Sequence, residues 1–114
     1  MTLPINPDIL RSAYDFLAET RPFKRWNLPP GEDIRFRVVK SGDACGWYSG
    51  RDNKHVIAVS DKYVFGTESL LVTMAHEMAH LHQSLTGMGI THGPAFKKLA
   101  ERICKIHGFK KVEF

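Results

Sequence analysis

Residues 76–80 read His76-Glu77-Met78-Ala79-His80, the spacing H-E-x-x-H. Side chains four apart share one face of a helix, so both imidazoles can reach a single ion, and neutral imidazole nitrogen suits zinc. Glu77 sits beside the first histidine, where a carboxylate can take a proton from a water molecule polarised by the ion. That is equipment for hydrolysis. The competing reading is a pair of surface histidines flanking a solvated glutamate, and the surrounding segment decides between them.

That segment reads as an amphipathic helix. Leu71, Met74, Met78, Leu81 and Leu85 recur at three- and four-residue spacing and form one apolar stripe, which is core. Thr67 stands where an N-cap belongs, Glu68 puts an acid in the first turn, and Gly87 or Gly89 can end the helix. Thr73, His76, His80 and Ser84 share a line beside the stripe. The motif therefore lies at the edge of a core, with protein on one side and room for substrate on the other.

A catalytic zinc needs a third protein ligand and keeps its fourth position open. A metzincin would carry glycine at position 83 and histidine at 86, where this chain has Gln83 and Thr86. A gluzincin would draw a glutamate from a following helix, and Glu101 is the one residue at about that distance. Lys97 and Lys105, four positions to either side, make Glu101 part of a solvated charge cluster instead. His92 remains. It precedes Gly93-Pro94-Ala95-Phe96, a helix start with proline in the first turn, and the turn Gly87-Met88-Gly89 lets it swing back to the metal.

His76-Glu77-Met78-Ala79-His80, followed after eleven residues by His92-Gly93-Pro94-Ala95-Phe96, resembles the SprT-like zinc metallopeptidases, the family of the Spartan-like protease domain. The resemblance implies one zinc ion on His76, His80 and His92, Glu77 as general base, and Phe96 packing the second of the two helices against the first. It implies peptide-bond hydrolysis in protein substrates, including proteins bound or crosslinked to DNA. The chain stops at Phe114, short of the zinc-ribbon-like region of longer relatives, which bears on substrate recognition more than on chemistry.

The elements that would position these residues are few. Asn6-Pro7-Asp8 starts a helix whose apolar face is Ile9, Leu10, Ala13, Phe16 and Leu17, and Arg21-Pro22 ends it. Ile34–Val38 alternates as a half-buried strand, Ser41-Gly42-Asp43 turns the chain, and Cys45–Tyr48 reads as a second strand. Arg51-Asp52-Asn53 turns again into His55–Val59, the most continuously apolar strand. The expected fold is α+β and zincin-like: a helix, a three-stranded antiparallel meander, the H-E-x-x-H helix and a C-terminal helix. With 114 residues, one domain over 1–114 is expected.

No stretch has the apolar length of a membrane span, and the first residues lack the pattern of a secretory signal. The cysteines, Cys45 and Cys104, are too few for a disulfide framework, so both thiols are expected free in a reducing, cytoplasmic setting. His82 points away from the His76–His80 line. His107, before Gly108, belongs to a helix end.

In zincin folds an extended peptide adds to an exposed sheet edge above the metal, and one edge of the 34–60 sheet should do so here. Tyr48, Tyr63 and His55 are the candidates for an extra donor to the developing oxyanion, and the sequence does not rank them. A formal charge of +4 raises single-stranded DNA as a partner. Lys24, Arg25, Trp26, Arg35, Arg37, Lys97 and Lys98 are the candidate contacts, through phosphate attraction and stacking on Trp26. A zinc-stabilised binding module without catalysis is the alternative. Glu77 argues against it, since a structural site has no use for a base.

Overall fold

The computed structural model describes residues 5–40, 44–64, 66–111 and 114. The expected turn at Ser41-Gly42-Asp43 lies outside them. Helix α1 spans Pro7–Ala18, strands β1, β2 and β3 span Ile34–Val39, Gly46–Arg51 and Lys54–Ser60, and helices α2 and α3 span Thr67–Leu85 and Pro94–His107.

Local chemistry sets the helix ends. The Asn6 side chain accepts from the Ile9 N–H at 2.9 Å, and proline follows at the first helical position. Four residues of α1, Leu10, Ala13, Tyr14 and Leu17, form its buried face. Phe16, expected in that face, is 57% exposed. It falls off the i, i+3, i+4, i+7 line that Tyr14 occupies. The N-cap of α2 is Gly66, one residue before the expected Thr67. The Ser69 hydroxyl accepts from the Gly66 N–H at 3.2 Å, which satisfies one of the free donors there. Past its C-cap at Thr86, Gly87 and Gly89 adopt positive φ, and Gly108 closes α3 with φ 76°.

The three strands form a mixed sheet in the order β1-β3-β2. The expected antiparallel meander is therefore corrected: β3 lies in the middle, antiparallel to β2 but parallel to β1. Asp52 and Asn53, with φ of 53° and 61°, make the two-residue turn of the β2–β3 hairpin. β1 ends and β2 begins at the same end of β3, beside Ser60 and Val59. The backbone grips that end from both sides, with Ser60 N–H donating to the Cys45 carbonyl and Asp61 N–H to the Val39 carbonyl. Burial explains the order. Ile57, Ala58, Val59 and Ser60 are all buried in sequence, the mark of a strand covered on both faces, whereas β1 alternates buried Ile34 and Phe36 with exposed Arg35 and Arg37.

Helix α2 is the centre of the molecule. It packs against α1, α3 and β2, while α1 also covers β1. Met74, Met78 and Leu81 are fully buried, each contributing roughly 1.5–3 kcal/mol by removal from water. Leu85, at the end of the expected stripe, is 46% exposed because the helix outruns the core there. Among the described residues no helix is long and apolar enough to cross a membrane.

Candidate metal centre

His76 and His80 leave α2 one turn apart, and His92 reaches them from the segment just ahead of α3. Their Nε2 atoms converge. His76 to His80 is 3.2 Å, His76 to His92 is 3.2 Å, and His80 to His92 is 3.1 Å. Four ligands set tetrahedrally at 2.0–2.1 Å from zinc would stand about 3.3 Å from one another. The three nitrogens thus mark three corners of such a polyhedron, and the trio could hold a metal ion.

The proton positions fit the same reading. His76 Nδ1 lies 2.6 Å from the backbone oxygen of Phe114, and His80 Nδ1 lies 2.8 Å from Oε1 of Gln83. Both partners are acceptors, so each Nδ1 carries the hydrogen and each Nε2 presents a lone pair. The Gln83 amide orientation is itself fixed, because its Nε2 donates to the Thr91 carbonyl at 3.1 Å. Two lone pairs facing each other at 3.2 Å repel unless a cation stands between them, so the donor set suits a divalent ion that favours nitrogen.

Phe96 forms the floor. Its ring stacks on His80 at a centroid distance of 4.6 Å and lies 5.0 Å from both His76 and His92. Burial lowers the His80 imidazole below its usual range and pushes His76 down to about 4, with the neighbouring histidines adding to the effect at His76. Both are neutral at pH 7, the state in which imidazole binds metal.

Glu77, next on the helix, is buried at 4% exposure, and its carboxyl has no hydrogen-bond partner among the described residues. Desolvation pushes it up to about 8. It shares with His76 a cavity of about 200 Å³, also lined by Ala44, Cys45, Gly46, Thr73 and Phe114. A buried, unpaired carboxyl opening onto a cavity beside three converging nitrogens is placed to accept and return a proton.

The other candidates lie elsewhere. Tyr48 and His55 bond to each other, hydroxyl to Nδ1, at 2.7 Å, and neither lines the cavity that His76 shares with Glu77. Tyr63 lines an adjoining hollow with Cys45, Glu68, Val72 and Thr73. Glu101 is exposed and pairs with Lys111 at 3.3 Å; it lines a hollow with His92 and Phe96 but is not one of the converging ligands. His82 stacks on Trp26 at 4.1 Å, and His107 ends α3 with Nε2 2.9 Å from the Arg21 carbonyl. Lys24, Arg25, Arg35, Arg37, Lys97 and Lys98 are exposed, and Trp26 is half-buried by its stack. Cys45 is exposed and Cys104 buried, and both are free thiols. Sequence reasoning passed over Gln83 and Gly46, which border the site. Nothing in their types announces a role, and only their contacts do.

A model of the SprT-like family matches residues 13–113. Among solved structures, the chain is similar to the crystal structure of the metallopeptidase zymogen of Pyrococcus abyssi abylysin. Identity is 18%, the match covers 89% of this chain and 93% of that one, and the TM-score is 0.45. No curated protein matches the chain.

Proposed function

From the premise that this chain belongs to the SprT-like family, we propose that it is a zinc-dependent metalloendopeptidase acting on protein substrates, among them proteins bound or crosslinked to DNA. The observation that carries this reading is the convergence of three imidazole nitrogens beside a buried, unpaired carboxyl.

His76, His80 and His92 would hold the ion, with Nδ1–H groups of the first two tied to protein acceptors. When bound, zinc supplies Lewis acidity, which polarises a scissile carbonyl and acidifies water. Glu77 takes the proton that water gives up and delivers it to the departing amine, so one carboxyl serves as base and then as acid. Bound zinc favours the charged carboxylate, the form in which Glu77 can accept that proton. The outer edge of β2 receives the extended substrate by backbone pairing. Of the two free edges, β2 is the one that packs against α2, and Gly46 brings it to Glu77. The exposed lysines and arginines named above supply the attraction for a DNA backbone.

A structural zinc site would close its fourth position with a protein side chain. Among the described residues the cluster offers three ligands and a neighbouring cavity instead. The test is cleavage of a DNA-binding protein by zinc-loaded enzyme, with and without single-stranded DNA, and with Glu77→Gln as the blank. Cleavage that needs Glu77 supports the peptidase, and cleavage that also needs DNA supports the DNA-linked substrate. A zinc-loaded protein that cleaves nothing in any lane counts for the binding module.

A further inference from the structure

Gln83 touches both halves of the metal centre. It is fully buried, and its amide is divided between two tasks. Oε1 accepts the His80 Nδ1–H at 2.8 Å, and Nε2 donates to the Thr91 carbonyl at 3.1 Å, one residue before His92. Its backbone carbonyl adds a third tie, accepting the Met88 N–H at 3.0 Å. The other hydrogen bonds of the chain between α2 and α3 are short-range ones from Thr86, Gly87 and Gly93; residues 86–92 are all exposed, and two positive-φ glycines lie within them.

We propose that Gln83 is a positioning residue that couples two zinc ligands, fixing the tautomer of His80 and the place of His92 at once; this rests on the metallopeptidase reading above. The carboxamide suits the double task because it offers an acceptor and a donor on one rigid plane. If Oε1 were absent, the His80 proton would be free to move to Nε2, the atom that must face the ion. If Nε2 were absent, the loop carrying His92 would lose this hydrogen bond, leaving the third ligand to its contact with the Phe96 ring and to the metal.

Chelator competition for zinc is the measurement, made on wild type, Gln83→Leu and Gln83→Glu. Leucine matches the volume and removes both bonds, so its affinity should fall roughly 10–100-fold. Glutamate keeps an acceptor for His80 but opposes the Thr91 carbonyl, so its affinity should lie between the two. Nitrogen NMR of the metal-free proteins should show His80 protonated on Nδ1 in wild type and in Gln83→Glu, but shifted toward Nε2 in Gln83→Leu. A general loss of packing would not produce that selective pattern. A folded Gln83→Leu that binds zinc like wild type overturns the proposal. If Gln83→Leu does not fold, Gln83→Glu decides alone, and wild-type affinity in that variant overturns the coupling. A wild type that holds no zinc removes the metallopeptidase reading and this proposal with it. Unchanged zinc binding in the variants removes only the role of Gln83.

Discussion

Gly46 of β2 lies directly against Glu77 of α2. A methyl group added at position 46 would stand 3.4 Å from Oε2 of Glu77, 3.1 Å from the Thr73 side chain and 2.6 Å from the Ala58 carbonyl oxygen. The first of these is ordinary contact, but the last is a collision with backbone in the central strand. The closest limit is thus set by the neighbouring strand, and glycine at this place lets β2 lie beside both β3 and helix α2.

Gly46→Ala should force β2 away from β3 or toward Glu77, at a cost of roughly 1–3 kcal/mol. Thermal unfolding of the metal-free protein reads this as a fall in Tm of several degrees, about 4–8 °C per kcal/mol for a domain near this size. A variant that melts with wild type would show that the strand end has room to move.

Glu77→Gln keeps the shape of the site and removes the proton carrier. Cleavage should fall by at least about 10²-fold, while chelator competition shows zinc still bound, roughly tenfold more weakly for want of the carboxylate charge. Retained cleavage in this variant would mean that another group is the base.

Zinc binding should release a proton from Glu77. Burial pushes its carboxyl up to about 8 in the metal-free fold, so at pH 7 about nine-tenths of it is protonated. A nearby dication favours the charged form and expels that proton, whereas His76, held down to about 4, has none to give. Calorimetry at pH 7 in buffers of differing ionisation enthalpy should count close to one proton released for wild type and close to none for Glu77→Gln. Equal counts in the two proteins would place the proton elsewhere.

The same carboxyl gives the metal-free protein a pH dependence. Its folded value is raised from 4.5 to about 8, so between those values the folded chain keeps a proton that the unfolded chain has lost. The contribution of protonated Glu77 is therefore complete at acid pH and drains as pH rises, by about 1 kcal/mol per unit. Urea unfolding at about pH 5 and about pH 8 should show metal-free Glu77→Gln gaining on wild type with rising pH. The lowered histidines titrate in both proteins and cancel. Parallel pH profiles would show that burial does not perturb this carboxyl.

Phe96 touches all three histidine rings, so its loss should act on fold and site together. Phe96→Ala should cost roughly 3–5 kcal/mol of stability and weaken zinc binding as the rings lose their floor. Differential scanning calorimetry with and without zinc separates the two effects. Full retention of zinc affinity would limit Phe96 to packing.

Much of the site and its helices is legible in the sequence. The four-residue spacing of His76 and His80 marks a helical face whatever the tertiary context, and Asn6-Pro7 and Gly93-Pro94 announce helix starts by their own backbone chemistry. His92 followed from what a three-ligand site lacks. The sheet order was less accessible, because alternation in β1 and β2 says which face is buried but not which strand is the neighbour. The unbroken apolar run Val56–Val59 is the one sign in the sequence that β3 is central. Phe16 shows a second limit: it is expected in the face where Tyr14 stands, although Tyr14 completes the line of Leu10, Ala13 and Leu17 and packs against Phe36 at 5.5 Å. Gln83 shows a third, since its role consists of hydrogen bonds to a side chain and a loop that sequence cannot bring together.

The central place of β3 also imposes a sequence of events on the growing chain. β2 and β3 are neighbours joined by a two-residue turn and can zip together as soon as both exist, whereas β1 must wait for a partner that begins with the pairing of Ile34 and His55, twenty-one positions on. Until Ser60 has emerged during synthesis, Ile34 and Phe36 have a strand's pattern and no sheet to join. Closing that long parallel contact carries the loop entropy of the sheet, so it should be the late and slow step of folding. His76, His80 and His92 all follow β3 in the chain, so the three-histidine group cannot be complete until the whole sheet has been synthesised.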